Sequence, residues 1–109
     1  MNVAQMDRLL KVINNDCQTR NAYARPDGRT CAIGAMMVDC GLPLPRPYSK
    51  VNRMRVTSLD DHILDTLQSV YGIHLNTLLH IQHYNDGFNT ARERRFSITN
   101  YIEQLHLSE

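Results

Sequence analysis

Apolar positions recur along this chain at helical spacing in several separate stretches. Val3, Met6, Leu9, Leu10 and Ile13 fall at intervals of three and four, the period at which side chains share one face of an α-helix. Asn2 and Gln5 stand three apart at the start of that run, as a capping box requires. The pattern predicts a helix from about residue 3 to about residue 15. In "RTCAIGAMMVDCG", Arg29 to Gly41, the apolar residues surround the axis instead of lining one side. Ala32, Gly34, Ala35, Met36 and Met37 favour a helix there, Gly41 stands where its carboxyl-terminal cap belongs, and such a helix should run through the middle of the molecule.

Leu59, Ile63, Leu67, Val70 and Tyr71 share a face after a start at Thr57 or Ser58, with Asp60 and Asp61 in the first turn and Gly72 ending the run. Leu75, Leu78 and Leu79 point inward from a shorter helix over about 75–84, which the "NDG" at 85–87 breaks. Thr90 and Glu93 have capping-box spacing ahead of a final helix whose inner face is Ala91, Ile98, Tyr101, Ile102 and Leu105. Between the first two helices, "NAYARPDGRT" carries Pro26, Asp27 and Gly28, a tight-turn signal that predicts a small hairpin or turn near residues 22–30. "LPLPRPY" holds three prolines in five residues and reads as an extended connector. About five helices in one compact all-α domain spanning 1–109 are expected.

Composition narrows the function more than it defines it. A chain of 109 residues can bury a core without metals or disulfides. Its three cysteines, an odd number at spacings that match no zinc finger, are expected to be reduced thiols. No apolar run approaches the roughly 18 residues of a membrane span, and "MNVAQMDRLLKV" lacks the apolar block of a signal peptide, so a soluble cytoplasmic protein without membrane contact is expected. The net charge of +1 hides an asymmetry: residues 1–58 hold nine Lys/Arg against four Asp/Glu, and residues 59–109 three against seven. That balance suits local recognition better than the many phosphate contacts of a dedicated nucleic-acid binder.

Four features carry candidate chemistry. Cys31 follows Thr30 at the start of the second helix, where the dipole and Arg29 would stabilise a thiolate nucleophile; the plainer reading, which is preferred, is a small apolar residue in a tight position. Helical geometry sets Cys31 and Cys40 roughly 13 Å apart and facing opposite ways, so they share neither a disulfide nor a metal. His80 with His83, and Glu103 with His106, are spaced three apart as helical metal ligands would be, but paired di-iron motifs need two such Glu-x-x-His units and further carboxylates. The basic stretch "RPYSKVNRMR" interleaves Arg46, Lys50, Arg53 and Arg55 with Tyr48, a nucleic-acid-like composition whose charges can also pair with Asp60, Asp61 and Asp65. Arg92, Arg94 and Arg95 occupy the first turns of the final helix against its dipole, at roughly 0.3–1 kcal/mol each, and such departures from local rules tend to mark functional sites. No phosphate loop, nucleophile elbow, metalloprotease helix or dinucleotide fingerprint is present in the sequence.

Two stretches, "ARPDGRTCAIGAMM" and "YNDGFNTARERRFSITNYIEQL", together resemble a family of small bacterial and phage all-α domains of unknown function, which place an Ala-Arg-Asp-Gly loop before a Cys-x-x-Gly-Ala helix and an aromatic-Asn-Asp turn before a last helix. The resemblance implies a helical domain in which Gly34 and Ala35 allow close packing and Asn85 and Asp86 brace a turn. It supplies no catalytic residue, and it makes a host-directed accessory protein the expected role. The expected function is a small non-enzymatic, cofactor-free interaction module, of the kind a phage uses to inhibit a host defence protein, anti-CRISPR proteins among them. Arg92, Arg94 and Arg95 would be its first contacts with a host protein, and Arg46, Lys50, Arg53 and Arg55 its second. A nucleic-acid-binding accessory protein using the basic residues, and an enzyme using Cys31, are the alternatives.

Overall fold

A computed structural model of the chain describes residues 1–16, 19–20, 22–25, 28–44 and 55–109. Within them the expected five helices are present: α1 Val3–Asp16, α2 Ala32–Asp39, α3 Asp61–Tyr71, α4 Leu75–Asp86 and α5 Ala91–Leu107. The only strand-like pairing among the described residues is one antiparallel bridge, Ala24 to Thr30. The radius of gyration, 12.6 Å, is that of one closely packed all-α domain. Among the described residues no helix is long and apolar enough to cross a membrane. "PRPY", from Pro45 to Tyr48, and the basic residues Lys50 and Arg53 lie outside the described residues together with Arg46, as do Cys17, Pro26 and Asp27.

The caps form where local sequence places them. The Asn2 side chain accepts from the Gln5 amide at 2.8 Å while Gln5 accepts from the Asn2 amide at 2.9 Å, so two orphan donors of the first turn of α1 are satisfied reciprocally. Thr90 accepts from the Glu93 amide at 3.1 Å and donates to the Glu93 carboxylate at 2.8 Å. Gly41 has φ 69°, and its amide and that of Leu42 return to the Val38 and Met37 carbonyls at 3.0 and 2.9 Å, closing α2 as a left-handed cap does.

The third helix starts later than the apolar pattern predicts. Val56–Ser58 form one 3-10 turn, Leu59 turns to an extended conformation, and Asp60 caps α3 by accepting from the His62 amide at 3.3 Å. Burial explains the break: Val56 is fully buried and Leu59 6% exposed, and both reach the core only if the chain bends between them and α3. The inner face of α3 is Leu64, Leu67 and Tyr71, with Ile63 and Val70 at its margin.

Six of the eight residues of α2 are buried, and α2 packs on α1, α3 and α4. It is the central element, as its apolar circumference predicts. Short as it is, its stability comes from tertiary burial. The hairpin lies across its first turn: Arg25 donates to the Arg29 carbonyl at 2.9 Å, Gly28 turns with φ 90°, and the Cys31 amide reaches the Tyr23 carbonyl at 3.3 Å. Gly34 faces that carbonyl so closely that a Cβ would overlap it. The glycine of "Cys-x-x-Gly-Ala" is therefore a point of backbone contact between α2 and the hairpin.

The fourth helix also departs from the pattern. It continues to Asp86 through the expected breaker because Asn85, 1% exposed, is held from inside. Its Oδ1 accepts from the Ala32 amide in the first turn of α2 at 3.0 Å, and its Nδ2 donates to the Thr19 carbonyl at 3.0 Å. Leu78 is buried with Thr77 and Ile81, while Leu75 and Leu79 sit at the edge of the core.

Candidate functional site

The cysteine question resolves into packing. Cys31 is the N-cap of α2, 4% exposed, with its sulfur accepting from the Gly34 amide at 3.4 Å. Burial pushes its thiol up to about 12, the direction opposite to the lowered value a thiolate nucleophile needs. In a native sample treated with a thiol reagent at pH 8, peptide mapping should find Cys31 unmodified. Labelling should appear only once denaturant opens the core, and native labelling of Cys31 at the rate of a free peptide thiol would contradict its burial.

The histidines of α4 do not converge either. His80 Nδ1 lies 2.9 Å from the Tyr101 hydroxyl and the His83 ring stands edge-on to Tyr84. Among the described residues no three His, Cys, Asp or Glu side chains gather as a metal site would need.

The three arginines of α5 are separated by their helical phase. Arg92 is exposed and Arg95 half-buried. Arg94 shares the inner phase with Ile98 and Ile102, is 4% exposed, and donates from Nη1 to the Phe88 carbonyl at 3.1 Å. It fastens the first turn of α5 to the α4–α5 connection, which removes it from the surface available to a partner. Arg55, the one described member of the basic stretch, is exposed ahead of the 3-10 turn.

Next to Arg92 and Arg95 is a residue the sequence reading passed over. Phe96 is 74% exposed in mid-helix. It borders a groove of about 250 Å³ shared with Tyr84, Ser97, Asn100, Tyr101 and Gln104. The Tyr84 and Tyr101 rings meet at 5.3 Å between centroids, tilted 39° to each other, and His80 buttresses Tyr101 edge-on at 5.4 Å. These contacts hold the aromatic walls without closing them over. The signal was present in the pattern, since Phe96 lies two residues, or about 200°, from Ile98 and so falls off the apolar face it helps to interrupt.

A second concavity, about 610 Å³, runs between α1 and α2 and is lined by Ala4, Asp7, Arg8, Lys11, Val12, Asn15, Ala35, Val38 and Asp39. One end is braced by charge. Arg8 Nε donates to Asp39 Oδ2 at 2.8 Å and Nη2 to the Asp39 carbonyl at 3.3 Å, while the Tyr71 hydroxyl donates to the same carboxylate at 2.6 Å. Burial, with the bond to Asp39, pushes the Tyr71 phenol up, and the bond to Asp39 raises Arg8. The three residues tie α1, α2 and α3 together and set the width of the groove.

The aromatic groove offers ring surface with neutral amide and hydroxyl groups, which is binding chemistry. Compared with protein-family models, curated proteins and solved structures, the chain finds no match.

Proposed function

We propose that this chain is a non-enzymatic protein-interaction module and that its contact face is the outer side of α4 and α5: Phe96 with Tyr84 and Tyr101, flanked by Arg92 and Arg95. The exposure of Phe96, 74% in the middle of a helix, carries the reading. Leaving a large aromatic ring in water forgoes roughly 1.5–3 kcal/mol of burial, and aromatic and arginine side chains dominate the energetics of protein interfaces. The cations beside the ring favour a partner surface that is acidic around an apolar pocket. The phage-borne domains that the sequence resembles favour a host protein as that partner, in keeping with the host-defence inhibitor expected from the sequence.

The test is capture from a nuclease-treated bacterial lysate with the tagged protein and with F96D and R92E/R95E variants beside it. The wild type should retain a stoichiometric protein, and each variant should lose it with at least about a tenfold fall in affinity, while circular dichroism shows the helices intact. Equal recovery by all three proteins would remove the α4–α5 face from the contact. Capture that disappears with nuclease would transfer the assignment to nucleic acid.

A further inference from the structure

The groove between α1 and α2 is independent of the α4–α5 face and carries an inference of its own. Its floor is apolar, from Val12 and Ala35, and Val38 stands at its edge 56% exposed. On its α1 wall, Asp7 and Lys11 are both exposed, and among the described residues neither forms an ion pair within the chain. They lie four apart, one helical turn, on the same side of α1. Arg8 and Asp39, by contrast, already neutralise each other at 2.8 Å. The wall thus presents one unspent negative and one unspent positive charge in a fixed order.

That order complements itself. When two copies of α1 meet antiparallel about a two-fold axis crossing between residues 7 and 11, Asp7 of each copy stands opposite Lys11 of the partner subunit. A parallel pairing would set like charges against each other and be repelled. Two-fold contacts have this reciprocal form, residue i on j and j on i. We propose that the α1–α2 groove is a homodimer interface in which α1 of a second copy docks antiparallel, covering the exposed Val38.

Sedimentation velocity over a concentration series tests this with four samples: wild type, D7K, K11D and an equimolar mixture of the two variants. The wild type should sediment as a concentration-dependent dimer. D7K and K11D each set like charges together at both symmetric contacts and should weaken dimerisation by about tenfold. In the mixture, Lys at 7 of one variant meets Asp at 11 of the other, and heterodimers should form with near wild-type affinity. Circular dichroism of the single variants checks that exposed α1 positions leave the fold unchanged. A wild type that stays monomeric to about 1 mM, a dimer that ignores the substitutions, or a mixture no tighter than its components would each overturn the proposal.

Discussion

Gly34→Ala should destabilise the protein by about 3 kcal/mol or more, against the trend that alanine improves a helix by roughly 1 kcal/mol over glycine. The reason is the neighbour. A Cβ at this position meets the carbonyl of Tyr23, a backbone atom of the hairpin that accepts from the Cys31 amide. Backbone cannot swing aside as a side-chain tip does, so α2 and the hairpin must separate and the fully buried Ile33, Met36 and Met37 around them loosen. For a domain of this size the thermal midpoint should fall by roughly 12 °C or more. Gly72→Ala is the control: its φ of 63° disfavours a side chain by about 1–2 kcal/mol, and the atoms a Cβ would meet are the side-chain end of Gln5, which can swing away at the cost of its bond to the Asn2 amide while the backbone stays in place. Chemical denaturation of both variants gives the ranking, and a stabilised Gly34→Ala would mean that the helix and the hairpin do not touch there.

The parts of the fold that were legible in the sequence are those decided within a few residues. The capping boxes Asn2/Gln5 and Thr90/Glu93 and the left-handed glycines Gly41 and Gly72 each need only their own turn, and each formed where its spacing placed it. The central position of α2 followed from apolar residues on all its sides. What could not be read depended on residues far apart in sequence. "NDG" is a sound breaker by local rules, and α4 passes through its first two residues only because Asn85 bonds to Ala32 and Thr19, 53 and 66 positions away. An arginine early in a helix reads as surface, yet Arg94 falls in the phase of Ile98 and Ile102 and turns inward. Asp39 joins Arg8 and Tyr71 from 31 and 32 positions away, so the brace of the α1–α2 groove leaves no local trace. Phe96 was readable by helical phase, and an apolar residue off the apolar face is the signal to look for in such a chain.

Replacing Asn85 is the second large effect, expected at about 2–4 kcal/mol for Asn85→Ala. One amide side chain holds three parts of the chain at once: the first amide of α2 through Ala32, the segment ahead of the hairpin through the Thr19 carbonyl, and its own helix through Asp86 Oδ1 at 3.1 Å. Alanine leaves the Ala32 donor and the Thr19 acceptor without that partner inside the protein, where water does not replace it. Asn85→Asp separates the hydrogen bonding from the shape. Its carboxylate keeps the acceptor for Ala32 but faces the Thr19 carbonyl and Asp86 with a negative charge, in a position 1% exposed for the native side chain. Burial and the neighbouring acceptors then raise its folded-state pKa above the unfolded value near about 3.9. A group with a raised folded pKa binds more protons folded than unfolded. The Asn85→Asp protein should therefore recover stability, relative to Asn85→Ala, as pH falls through that raised value toward the unfolded one, where a protonated carboxyl donates to Thr19. Denaturation of both variants at pH 7 and pH 5 measures the difference. A gap between them that does not move with pH, or an Asn85→Ala cost below about 1 kcal/mol, would mean that the fold does not depend on this clasp.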